Sequence, residues 1–189
     1  RLRVRKDYTW NTGSGSWYPN GETRYVYDGM LLVQERNASN VPQVSYTRGL
    51  DLSGSRAGAG GIGGLLARST HSTVSPYPLS TSAYYHADGN GNITYLLKSD
   101  GSAAAIYKYD PYGRTLSSAG TLASANLLRF SSKPTVLSST GAWGCYYYGY
   151  RFYDPNTQRW LNRDPVRERF DRNLYRFTYN NPVNFVDPN

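Results

Sequence analysis

Apolar and polar residues alternate with a period of two along much of this chain, which is the signature of strands with one covered face. "RLRVRKDYTW" reads as a strand, and a Gly-Ser break, "NTGSGSWYPNGE", separates it from "TRYVYDGMLLVQER". There Tyr25 and Tyr27 alternate ahead of Asp28-Gly29, a pair suited to a tight hairpin turn. "NVPQVSYTRGL" predicts a further strand. From residue 83 onward, turn signals at Asp88-Gly89-Asn90-Gly91, Asp100-Gly101 and Asp110-Pro111-Tyr112-Gly113 bracket strand candidates over 92–97 and 104–109, the spacing of an antiparallel meander. "LLRFSSKP" and "CYYYGYRFYDP" continue the strand pattern. Only "DRNLYRFTYNNP" departs from it: Leu174, Tyr175, Phe177 and Thr178 approach helical spacing, with Asp171 or Asn173 as N-cap and Pro182 as stop, so a short C-terminal helix is expected there.

Composition points the same way. The 189 residues include 19 Tyr, 19 Gly and 10 Pro but one Met, a mixture that favours strands and turns over long helices. "YVYDG" at 25–29 and "YKYDPYG" at 107–113 are two copies of a Tyr-x-Tyr-Asp unit, so a repeat architecture is expected. "GAGGIG" at 58–63 satisfies a dinucleotide-binding fingerprint in form alone. Ser-Thr-Pro-rich sequence follows it, Ala83 stands where an acidic residue is needed, and no Gly-Lys-Ser/Thr ending makes it a phosphate loop. A flexible or tightly turning glycine segment is the expected reading.

The net charge of +8 arises from 21 basic and 13 acidic residues. The basic residues stand singly between aromatics, so nucleic acid is not the expected partner. One cysteine, Cys145, and two histidines provide neither a disulfide framework nor a Cys-based zinc site, and no metal or cofactor is expected. No apolar run approaches the roughly 18 residues of a membrane span. Arg1-Leu2-Arg3-Val4 reads like the middle of a strand, without an initiating Met or signal peptide, so the chain is expected to be a fragment of a longer one.

Four ordered motifs, "YYHADGNGNITYLL", "YKYDPYGRT", "YYYGYRFYDPNTQRWLNRDPV" and "NLYRFTYNNPVNFVDPN", resemble the Rhs/YD-repeat proteins, in particular their C-terminal repeat-associated core domain. The likeness is strong over 83–189, and "RYVYDG" and "YTRGLDLSG" extend it weakly toward the N-terminus. Two regions follow: YD-repeat-like strands with a glycine-rich loop over 1–82, and the core domain over 83–189. The resemblance implies a mainly β fold, a spiral of strand-turn-strand repeats forming part of a hollow shell around a C-terminal toxin or effector segment. In the related toxin-complex C proteins the core domain is an aspartic autoprotease, which cleaves just after an Asp-Pro-x-Gly-Leu type motif.

Carried onto this sequence, the protease pattern falls on Arg151 in "GYRFYDP", Asp164 in "NRDPV" and Asp187 in "VDPN". Two close carboxylates share a proton, so that one polarises the scissile carbonyl while the other activates water. Arg151 would stabilise the ionised partner or the developing oxyanion. Asp-Pro is also an ordinary turn element, and the chain has four such pairs, at 110, 154, 164 and 187, with a structural role as the default for each. The chain departs from the family in "VRERFDRN", where Arg167, Glu168, Arg169 and Asp171 replace a glycine-rich stretch, and the expected scissile bond falls beyond Asn189. The partners implied are upstream repeats and a downstream segment of the same polypeptide, in a secreted or cell-surface setting. The competing reading is a non-enzymatic surface module. It would self-assemble through open strand edges, or bind carbohydrate through aromatic faces at 146–150, Trp143 and Trp160.

Overall fold

The computed structural model describes residues 1–72, 80–136, 144–165 and 173–187. Packing divides the chain into two compact units, Arg1–Thr47 with Ala67–Ser82, and Arg48–Leu66 with Ala83–Asn189. The glycine-rich segment therefore belongs to the second unit. Both units are antiparallel β structure, with each strand beside its neighbour in sequence.

In the first unit β1 (Leu2–Asn11) pairs with β2 (Ser16–Asp28), β2 with β3 (Leu31–Asn37) and β3 with β4 (Pro42–Arg48), and most of β5 (Leu65–His71) follows. Asn11 closes the first hairpin by accepting the Gly13 and Ser14 amides at its side-chain oxygen. Asp28 and Leu31 face each other across Gly29-Met30, and Gly29 has φ 58°, as the tight turn demands. Tyr25, Tyr27, Leu31, Leu32, Val44 and Tyr46 are buried. Glu35, placed opposite Tyr25 and Val44, accepts a hydrogen bond from the Tyr46 hydroxyl.

The second unit contains most of β6 (Ser80–Ala87), then β7 (Ile93–Lys98), β8 (Ala103–Tyr109) and β9 (Thr115–Ala119), paired in that order. A smaller sheet follows: β10 (Thr135–Val136), β11 (Cys145–Tyr147), β12 (Phe152–Asp154) and β13 (Arg159–Trp160). The hairpin turns share one device. Asp88 Oδ1 accepts the amides of Asn90 and Asn92, and Asp110 Oδ1 those of Tyr112 and Arg114, while Gly91 and Gly113, each three residues after its aspartate, take φ of 76° and 87°. The aspartate of the Tyr-x-Tyr-Asp unit thus folds the chain back by replacing backbone acceptors with its own carboxylate. Asp154 works similarly, accepting from the Asn156 amide and the Thr157 hydroxyl.

The tyrosines explain their abundance by what their two ends do. Phe130, Tyr146, Tyr148, Tyr153, Trp160 and Phe177 form one aromatic core, with Tyr109 and Tyr112 against it, and Tyr153 and Phe177 stack with centroids 3.9 Å apart. Their hydroxyls donate to carbonyls of distant segments: Tyr146 to Gly113, Tyr153 to Tyr112, Tyr109 to Ile93 and Tyr112 to Asn180. Each ring therefore buries apolar area while its polar tip satisfies an otherwise orphaned acceptor.

At the C-terminus the expected helix is reduced to a three-residue 3-10 turn, Thr178–Asn180, whose residues all have positive φ. Its predicted first turn is absent because other partners take the backbone. Trp160 N–H donates to Tyr175 O, Asp164 N–H donates to Leu174 O, and Arg176 bridges Arg159. Asn173 caps a turn at the Tyr175 amide. Asp171 lies outside the described residues, as do Trp143 and the Arg167, Glu168 and Arg169 of the substituted loop.

Candidate active site

Arg151 follows the Tyr150 corner between β11 and β12, and its side chain runs inward, only 7% exposed. The guanidinium carbon stands 3.9 Å from the centroid of the Trp160 ring, which lies across the sheet on β13. That contact fixes the plane of the fork. One nitrogen, Nη1, donates to Asp164 Oδ2 at 2.7 Å, and Nη2 donates to Asp187 Oδ1 and Oδ2 at 3.3 and 3.2 Å. The three residues singled out from the sequence are thus brought together, with two carboxylates on adjacent nitrogens of one arginine.

The remaining Asp-Pro carboxylates behave otherwise. Asp110 and Asp154 turn onto their own following residues, whereas Asp164 and Asp187 extend to a side chain 13 and 36 residues away. Both remain partly open to solvent, with side chains 26% and 21% exposed. The segment leading into Asp187 is tied down from a distance. Asn90 Nδ2 donates to the carbonyls of Pro182 and Val183, and the Tyr112 hydroxyl to that of Asn180.

The glycine segment is ordered around a single carboxylate. Asp51 Oδ1 accepts from the Ser53 amide and hydroxyl, and Oδ2 from the Ala59 and Gly61 amides. Burial alone would raise the Asp51 carboxyl, but these hydrogen bonds hold it below the usual carboxylate range. The loop so formed presents Gly60 O to Lys133 Nζ at 2.9 Å and the Gly63 amide to Ser132 Oγ at 3.0 Å.

Lys133 is a site neighbour that sequence reasoning missed, and Tyr148, expected only as part of an aromatic face, packs beside it. Lys133 Nζ lies 4.8 Å from the centroid of the Tyr148 ring, and Tyr148 meets Trp160 edge to face at 5.0 Å. Burial pushes Lys133 down to about 7 against an opposing attraction to Asp187, and pushes the Tyr148 hydroxyl well above its ordinary range. A lone lysine before Pro134 has no motif that would have marked it. The aromatic faces proposed for sugar stacking need correction: Tyr146, Tyr147, Tyr148 and Trp160 are buried, and among the described residues of that group only Tyr150 is exposed. Among the described residues, no three His, Cys, Asp or Glu side chains converge as metal ligands would.

Asp-centred hairpins that close on an aromatic core, together with an arginine shared by two acids, define an antiparallel β-rich region with a partly buried charged cluster. The particular likeness emerges from comparison with known proteins. Toxin subunit YenC2 of Yersinia entomophaga is 37% identical over 92 residues, which is 47% of this chain and 9% of that protein. The tRNA3(Ser)-specific nuclease WapA of Bacillus spizizenii is 28% identical over 173 residues, 88% of this chain and 6% of its own. The crystal structure of TcdB2-TccC3 matches all of this chain and 8% of that one, with a TM-score of 0.67 at 26% identity. No family model matches. In sequence and fold the chain is therefore similar to Rhs-like, toxin-complex C-protein regions, and it spans less than a tenth of these proteins.

Proposed function

We propose that this region is the core segment of an Rhs-type shell that encloses a C-terminal segment of the same polypeptide and releases it by aspartic self-cleavage. The observation that carries this reading is the bidirectional grip of Arg151 on Asp164 and Asp187. An aspartic mechanism uses such a pair of carboxyls in two roles, one as the acid and the other as the base. The protonated acid donates to the scissile carbonyl oxygen while the ionised one takes a proton from water. The resulting hydroxide adds to the carbonyl carbon, and the C–N bond breaks as a proton passes to the leaving amine. Arg151 offsets the negative charge of that intermediate. The bond cleaved lies just beyond residue 189, and the partners are upstream repeats and the released segment, in a secreted or cell-surface protein.

The test is to express the chain extended by its native downstream sequence and weigh the products by intact mass. Wild type is expected to be cut, and Asp164→Asn and Asp187→Asn to remain whole. An uncut wild type removes the catalytic assignment, and cleavage in both variants returns the two aspartates to a turn role.

A second reading, a self-assembling surface module without enzymatic activity, is favoured by β1 and β9. Among the described residues each pairs on one side only, and β9 is exposed along all five residues. Sedimentation decides it: a concentration-independent monomer rules out edge assembly.

A further inference from the structure

Within the second unit, a cavity of about 280 Å³ opens beside β9 and the smaller sheet. Four separate segments border it. Arg114 closes the Asp110 turn and Ser118 lies on β9, Arg129 precedes the Phe130–Ser132 turn, Thr135 begins β10, and Asn156 belongs to the turn after β12. None of the described residues that line it is acidic.

Arg129 is fixed there without being neutralised. Its Nε donates to Asn126 O at 3.0 Å and its Nη2 to Ala123 O at 2.8 Å, while the guanidinium carbon lies 5.1 Å from the centroid of the Tyr107 ring. All three partners are uncharged. Among the described residues no carboxylate pairs with Arg129, and its Nη1 makes no hydrogen bond. A guanidinium anchored through two of its nitrogens is preorganised to meet an anion with the third. Arg114 adds a second cation at the rim. Its Nε donates to Asp110 Oδ2 at 3.2 Å, but its side chain is 59% exposed and its two terminal nitrogens are unclaimed.

Thr135 is an independent sign that something is missing from this place. The residue is 5% exposed, and its hydroxyl is shielded from solvent with no hydrogen-bond partner. A buried hydroxyl left unmet costs free energy, and this one borders the cavity that holds the two arginines.

We propose that this cavity is a binding site for a small tetrahedral oxyanion of the phosphate or sulfate kind. Arg129 supplies the fixed charge-assisted donor, Arg114 closes from the rim, and the Ser118 and Thr135 hydroxyls are the neutral donors. The volume, about 280 Å³, is at the lower edge of ordinary ligand pockets, which suits one anionic group with little attached to it. Arg151, Asp164 and Asp187 do not line the cavity, so the site does not rest on the self-cleavage reading.

The test is to titrate sodium phosphate into the 189-residue chain at constant ionic strength, with chloride as the balancing salt. Arginine side-chain NMR and thermal unfolding follow the titration. The Arg129 Nε–H signal is expected to shift saturably, and Tm to rise above its value in chloride. Sulfate reproduces both effects, and acetate is weaker by about tenfold. Arg129→Gln raises the phosphate Kd by about tenfold or more, and Arg114→Gln by about threefold, because Asp110 already offsets part of its charge. Thr135→Val removes the unmet hydroxyl, so without phosphate it is at least as stable as wild type, yet it binds phosphate more weakly. Lys98→Gln, an exposed cation away from the cavity, leaves the Kd unchanged. A phosphate response no larger than that of chloride or acetate overturns the proposal. So does an equal weakening by Arg129→Gln and Lys98→Gln, which marks general screening of the net positive charge. If Arg129→Gln fails to fold, Arg114→Gln and Thr135→Val decide, and wild-type affinity in both overturns the site.

Discussion

Arg151 rests on Trp160, guanidinium carbon to ring centroid 3.9 Å, so the residue that touches both aspartates is itself oriented by the largest fully buried side chain among the described residues. Trp160→Ala is expected to cost about 3–5 kcal/mol in denaturant unfolding, the usual range for emptying a large aromatic site. Trp160→Phe keeps most of the packing. In the extended chain it is expected to fold and yet cleave more slowly, because the smaller ring holds the guanidinium less firmly.

Asn126 is fully buried, accepts from the Tyr85 hydroxyl at 2.7 Å and donates to Leu128 O at 2.6 Å. Asn126→Ala removes the acceptor of the Tyr85 hydroxyl and the donor to Leu128 O inside the core, and a loss of about 2–4 kcal/mol is expected. Tyr85→Phe removes only one hydroxyl and should cost about 1 kcal/mol, and the double variant should cost less than the sum. Thermal and urea unfolding of the four proteins gives the cycle.

Gly113 combines φ of 87° with a position where an added Cβ would stand 2.6 Å from Phe130. Gly113→Ala is therefore expected to lose about 2–4 kcal/mol, through backbone strain together with displacement of a core ring. Gly89, next to an equivalent turn but with nothing within 4 Å of its would-be Cβ, is the control: Gly89→Ala should change stability by about 0.5 kcal/mol or less.

Stability should depend on alkaline pH through the buried tyrosines. Burial pushes Tyr25 up to about 12, and raises Tyr109, Tyr146, Tyr148 and Tyr153 as well. Their folded-state values lie above the unfolded value of about 10, so their contribution is complete below that pH and is lost as pH rises through about 12. Lys133 has the opposite sign. Its folded value near 7 lies below the unfolded 10.5, so it adds stability as pH climbs between the two. Unfolding followed by circular dichroism across pH 6–12 should show a rise and then a collapse. Lys133→Met should be more stable than wild type at the acid end and flatten the rise.

The strands and their turns were readable because both signals are local. Alternation marks Tyr25 and Tyr27, and an aspartate followed three positions later by glycine supplies both the acceptor and the left-handed residue that the hairpin uses. The convergence of Arg151, Asp164 and Asp187 was readable only through family resemblance, since no periodicity spans 36 residues. The helix over 171–182 misled because Leu174 and Phe177, both buried, satisfy helical spacing equally well when β13 and the aromatic core claim them. Lys133 was invisible because its burial depends on a loop more than 70 positions earlier, folded around Asp51. The sugar-stacking idea failed on Trp160 for a similar reason: the sequence shows which residues are aromatic, not which faces are already covered.

The strand order of the second unit, β6 through β9 in simple succession, bears on how the chain acquires its shape. Each hairpin closes over a few residues, so the loop entropy lost at each step is small and does not grow with chain length. Pairing can then follow synthesis, with every new strand finding its template in the one just made, and low contact order makes that progression fast. A protein assembled in this way can be lengthened by whole hairpins without rethreading anything already folded.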